Sequence, residues 1–146
     1  MSRAIKSTTH SEELVTGVAK LLSDTTHKHS DVQFKVGGKI FHCHKLILAL
    51  KSPYFDRRLF PSVATAAAAA NQPIVLNDVS ADGFYKVLEF MYTGQTELTD
   101  QNVEQILRAA DLMKLTELTA FCVDYLMGYG LTAYIKSYTG FRLPPK

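Results

Sequence analysis

Apolar positions Leu14, Val15, Val18, Leu21 and Leu22 recur at helical spacing, and Thr9-x-x-Glu12 has the form of a capping box, so residues 9–23 are predicted to form an amphipathic helix. A polar stretch, residues 23–30, separates it from everything downstream, and its apolar stripe is therefore expected to find its cover elsewhere. Asp31-Val-Gln-Phe-Lys-Val36 then alternates with period two, Gly37-Gly38 offers a two-residue turn, and Lys39-Ile-Phe-His-Cys43 resumes the alternation. That pattern is a β-hairpin.

Leu46, Ile47, Leu48, Ala49 and Leu50 make residues 45–51 apolar on nearly every side, which suits a short helix at the domain centre or at an interface. Ser52-Pro53 breaks and restarts the chain as N-cap and first helical residue of a brief helix running through Phe60. Residues 61–73, bounded by Pro61 and Pro73 and rich in alanine, have no large side chain to bury between Val63 and Pro73 and read as an exposed loop. Ile74-Val-Leu76 reads as a buried strand. Ser80 caps a helix with Phe84, Val87, Leu88, Met91 and Tyr92 on one face and Gly94 at its end. Residues 96–98 suit a short strand. Thr99 caps a helix that turns Val103, Ile106, Leu107 and Ala110 inward, and residues 116–127 form a last firm helix burying Leu118, Phe121, Cys122, Tyr125 and Leu126 before Gly128. Leu131, Tyr134, Ile135 and Tyr138 begin a further helical unit in the tail. A small sheet on one side of a helical cluster is an α+β domain.

Composition narrows the function classes. With 47% apolar and 21% charged residues in a chain of 146, one globular domain is expected, covering residues 9–128 between a disordered N-terminus, residues 1–8, and a tail, residues 129–146. Sixteen basic against fourteen acidic residues give +2, and Arg57-Arg58 is the only adjacent basic pair, so no footprint for nucleic acid or an anionic membrane is expected. Cys43 and Cys122 are far apart in apolar segments, which fits free thiols in a reduced compartment, cytoplasmic or nuclear. No apolar stretch reaches the roughly 18 residues of a membrane span.

Candidate chemistry is sparse. His42, Cys43 and His44 look like metal ligands, but on a strand the two histidines share one face and the cysteine takes the other, so no metal is expected. Both cysteines sit on apolar faces, where the thiolate is disfavoured. No nucleophile elbow, P-loop or dinucleotide fingerprint is present, and neither an enzyme nor a cofactor is expected.

Several short strings, in this order and spacing, resemble the BTB/POZ family over residues 9–128: Ser30-Asp31-Val32, Phe41-His-Cys-His44-Lys45 leading into Leu46-Ile-Leu-Ala49, Ser52-Pro-Tyr-Phe55, Phe90-Met-Tyr-Thr-Gly94, Ala109-Ala-Asp111 and Leu115-Thr-Glu-Leu118. The resemblance implies a three-stranded sheet flanked by helices and, in the long form, an extra N-terminal helix and strand that build a homodimer. It pairs the opening helix with residues 45–51 of the partner copy, which makes Leu14, Val15, Val18, Leu21, Leu22, Leu46 and Leu50 the expected dimer interface. Physically, the stripe of the opening helix needs a cover, because burying each such side chain recovers roughly 1.5–3 kcal/mol. Folding back on its own subunit is the alternative.

In zinc-finger relatives the positions matching Asp31 and Lys45 form a charged pocket at the dimer seam; an ion pair fastening strand to helix is the simpler reading here. In adaptor relatives an apolar residue followed two positions later by an acid docks on Cullin-3. Leu59, Phe60 and Val63 are the apolar candidates, but Pro61, Ser62 and Thr65 stand where the acid belongs. The tail resembles the start of a BACK region, which extends the cullin-binding surface in many adaptors. The resemblance thus implies a homodimeric, non-catalytic adaptor for a Cullin-3 ubiquitin ligase, with a substrate chosen by a further region. The alternatives are a corepressor-binding dimerisation module of a transcriptional regulator and an assembly domain of a structural or channel-associated protein.

Overall fold

The chain is seen here in a computed structural model that describes residues 1–62 and 72–128. The sheet starts from the hairpin, β1 (Val32–Val36) and β2 (Lys39–Cys43), paired antiparallel with Val36 opposite Lys39. Gly37 and Gly38 both hold positive φ, 57° and 82°, which a two-residue turn of the hairpin type requires. β3 (Ile74–Leu76) joins the other side of β1 in parallel, giving the order β2-β1-β3. A parallel neighbour needs a long crossover, and α2 (Lys45–Lys51) and α3 (Pro53–Leu59) lie within it.

Val32, Phe34 and Val36 alternate into the core, where Phe34 meets Phe55 of α3 at 5.4 Å and Phe84 of α4 (Ala81–Thr93) at 5.5 Å between ring centroids. Phe41 adds an edge-on contact to Phe84 at 5.1 Å. Aromatic pairs at such distances contribute about 0.5–1.5 kcal/mol each beyond their buried area. α5 (Val103–Leu112) and α6 (Thr116–Gly128) close the other side of α4. Gly83 permits the close α4–α5 approach, since a Cβ there would lie 2.8 Å from the Gln105 carbonyl oxygen.

The helix ends follow local chemistry. Ser52 Oγ accepts from the Phe55 N–H and donates to the Met113 carbonyl at 2.6 Å, tying the α2–α3 junction to the α5–α6 corner. Ser80 Oγ accepts from Gly83 N–H, and Gly94 ends α4 with φ 77°. α1 (His10–Ser23) begins differently from expectation: Ser7 Oγ accepts from the backbone N–H groups of Thr9 and His10, and Thr9 Oγ1 donates to Glu13, so no Thr9–Glu12 capping box forms. Thr99 likewise closes a turn with Asn102, one step before α5.

Other expectations are corrected. No strand forms at residues 96–98 or ahead of α1 among the described residues, because a strand needs a neighbour and this subunit supplies none there. Of the helix and strand implied for the long form, the helix is present. Val75 is exposed, because β3 covers the core on one face only. On α6, Val123 is buried in place of Phe121, whose ring stands half in solvent beside Phe90. Most of the alanine-rich loop, residues 63–71, and the tail from residue 129 lie outside the described residues.

Candidate interaction surfaces

The α1 stripe divides in two. Val18, Leu21 and Leu22 are half-buried against the subunit's own core, where α1 lies along α4. Leu14 and Val15 remain 56% and 60% exposed, and on α2 Leu46 and Leu50 are 65% and 76% exposed. Thus four of the seven residues expected at a dimer interface are uncovered in the single chain, and three are partly used within it.

The polar linker accounts for this split, because it is folded rather than a loose tether. Asp24 accepts from the Thr26 N–H and hydroxyl and from the Lys28 N–H, bonds that hold its carboxyl below the usual carboxylate range. The ring of His27 stacks on that of His42 at 3.6 Å. His44 sits in the wall behind: the Lys28 carbonyl can only accept, so Nε2 donates to it at 2.8 Å, which leaves Nδ1 to accept from the Tyr92 hydroxyl, itself the acceptor of the His44 backbone N–H. These bonds return α1 to its own subunit. Leu21, Leu22, Asp24, His27, His42 and Tyr85 line the cleft of about 420 Å³ that remains between linker and β2.

Asp31 and Lys45 do come together, but no ion pair joins them among the described residues. Asp31 Oδ1 instead accepts from the Lys45 backbone N–H at 2.8 Å, capping an α2 whose N-cap residue, His44, makes no side-chain cap. The aspartate is exposed, so the arrangement secures strand to helix through an orphan N–H rather than through a buried charge.

The three cullin candidates also part company. Leu59 is a core residue and so is not available at the surface; Phe60, at the end of α3, is 50% exposed; Val63 lies outside the described residues. Two exposed apolar side chains were not singled out from the sequence, Ile40 and Val75, which flank Lys35 in one row across the outer face of the sheet. The period-two alternation of the strands carried that signal.

The chemistry of the remaining groups is quiet. Burial pushes the thiols of Cys43 and Cys122 up to about 12, with Asp31 adding to the effect at Cys43, so both are thiols rather than nucleophilic thiolates. His42 is lowered by burial first and by neighbouring His27 second. No group of three or more histidine, cysteine, aspartate or glutamate side chains is placed to hold a metal among the described residues, and no described helix is long and apolar enough to cross a membrane.

Comparison with known proteins places the chain. A family model for the BTB/POZ domain matches residues 21–128. Kelch-like protein 41b of Danio rerio is 34% identical over 110 residues, 75% of this chain and 18% of that protein. Human Kelch-like protein 30 is 32% identical over 117 residues, 80% of this chain and 19% of its own length. The chain therefore spans about a fifth of the curated relatives it matches. Among solved structures, the BTB domain of zebrafish PATZ1 superposes with a TM-score of 0.72 at 20% identity, covering 87% of this chain and 99% of that one. That of human gigaxonin gives 0.65 at 24%, covering 86% and 98%. At those identities the likeness speaks for the fold alone. With the family model spanning the hairpin, the helix pair and the three helices behind them, the chain belongs to the BTB/POZ family of protein-interaction domains.

Proposed function

We propose that this domain is a homodimer that links a Cullin-3 ubiquitin ligase to a substrate held by another part of its protein, in the cytoplasm or nucleus. The observation that carries the reading is the set of four strongly exposed aliphatic side chains on two helices, Leu14 and Val15 of α1 and Leu46 and Leu50 of α2. Covering each would recover up to roughly 1.5–3 kcal/mol, and a two-fold arrangement covers both sets at once. The adaptor role is supported by Phe60, exposed at the end of α3, and by relatives that are Kelch-like proteins. Two subunits would present two substrate arms and raise effective concentration without any new contact. Pro61 and Ser62 stand where an acid would be expected after Leu59 and Phe60, so the cullin contact here depends on apolar packing.

Light scattering on the purified domain is expected to give the mass of two chains; one chain, four or five would overturn the dimer. Titration with the N-terminal region of Cullin-3 is expected to show binding that Phe60→Ala weakens about tenfold, the effect of losing a modest interface anchor. Absence of binding at tens of micromolar removes the adaptor role.

A further inference from the structure

Two imidazole rings lie face to face where the linker after α1 meets the sheet. His27 stacks on His42 with ring centroids 3.6 Å apart and planes only 19° from parallel. His27 is exposed, so protons reach it freely, whereas His42 is half-buried on β2. The backbone at His27 holds φ 56°, a left-handed conformation that a residue other than glycine keeps where its surroundings fix it. The stack is one of those fixings, and it suits uncharged rings.

The groups around the pair offer little to a charged ring. On β1 the cross-strand partner of His42 is the neutral Gln33, with Asp31 and Lys35 two residues to either side. The linker brings Asp24, with Lys28 and His29 following His27; α4 brings the neutral Tyr85, and α1 brings Leu21 and Leu22. Both acids are already engaged with backbone N–H groups, Asp24 with those of Thr26 and Lys28, Asp31 with that of Lys45. His44 behaves differently. Its Nε2 carries a proton whether the ring is neutral or charged, so its bond to the Lys28 carbonyl survives acid.

We propose that the His27–His42 stack is an acid-sensitive latch: closed while both rings are neutral, it springs when both are charged, freeing residues 24–27 from β2 and loosening the last turn of α1. Two imidazolium rings at this spacing repel each other, and each calls for water that the half-buried position does not supply. His42 is held below the ordinary imidazole value, by burial first and by His27 second. The latch is therefore closed above about pH 6.5 and gives way as pH falls below it. Lys28 stays pinned by His44, so the opening is local, and it widens the cleft of about 420 Å³ toward Leu21 and Leu22. The latch stands apart from the adaptor role and from whatever covers Leu14 and Val15.

Nuclear magnetic resonance on the whole chain at pH 7.5 and 5.5 reads the opening directly. Exchange protection of the Leu21, Leu22 and Ser23 amides, corrected for the chemical rate at each pH, is expected to fall at least tenfold in acid. The nuclear Overhauser contact between the two rings should vanish with it, while the amide of Leu107, fully buried on α5, keeps its protection. His42→Phe keeps an aromatic ring on a strand but cannot be charged, and the acid-induced fall is expected to shrink to less than twofold. His27→Asn accepts the positive φ but removes the ring, so protection should be low at both pH values. Protection in the parent that is unchanged in acid overturns the latch, as does a fall in His42→Phe as large as in the parent. An equal fall at Leu107 overturns it too, because that is unfolding of the whole domain.

Discussion

Replacing Ser52 by alanine probes how the α2–α3 junction is held to the far corner of the domain. The side chain is fully buried and performs two tasks, accepting from the Phe55 N–H at 3.1 Å and donating to the Met113 carbonyl at 2.6 Å. Loss of the cap alone costs about 1 kcal/mol. Met113 is itself fully buried, and a carbonyl deprived of its partner there adds about 1–3 kcal/mol. The expected total is about 2–4 kcal/mol, which at a urea slope of roughly 1–3 kcal/mol/M lowers the unfolding midpoint by about 1 M or more. Ser80→Ala is the reference, because Ser80 caps α4 in the same way but is exposed, so it should cost only about 1 kcal/mol. Both variants are measured at one protein concentration, since association contributes to apparent stability. Equal losses in the two would refute the argument that the buried carbonyl, rather than the cap, dominates.

Gly83→Ala forces a Cβ to within 2.8 Å of the Gln105 carbonyl oxygen, and the strain of about 1–3 kcal/mol exceeds the helix-propensity gain; thermal unfolding is expected to fall, and an unchanged or higher midpoint would contradict the close α4–α5 approach. Cys43 and Cys122, with thiols near 12, are expected to stay silent to a thiol reagent at pH 8 until the protein is unfolded in urea, and stoichiometric labelling of the native domain would show them accessible. His42 favours its neutral form in the folded state, so stability is full above its unfolded value near 6.5 and is lost as pH falls below it. His42→Gln should flatten that slope, and a slope unchanged by the substitution would locate its source elsewhere.

What was legible in the sequence was what local chemistry decides. The α4 pattern carried every signal within one segment: Ser80 at the start, the apolar face from Phe84 to Tyr92, and Gly94 at the end. The Gly37-Gly38 turn was similarly self-contained. Where apolar residues surround a helix, as on α6, periodicity does not choose a face, and packing against α5 brought Val123 inward in place of Phe121. Asp31 and Lys45 were recognised as neighbours, yet the atom that Asp31 meets is a backbone N–H, which a sequence of side chains does not display. The linker misled for a related reason. Its polar composition suggested a tether, whereas Asp24, His27 and His44 use that polarity to fold it. The candidate surfaces were half legible: Leu14, Val15, Leu46, Leu50 and Phe60 are exposed in the single chain, while Leu59 is in the core and Val18, Leu21 and Leu22 are partly buried.

The docking of α1 on α4 also sets an order of events during synthesis. A ribosome releases Val18, Leu21 and Leu22 long before it has made α4, along which α1 lies. Until residue 93 has emerged, the nascent chain carries an apolar ridge without its α4 cover. That interval is when a chaperone has something to hold.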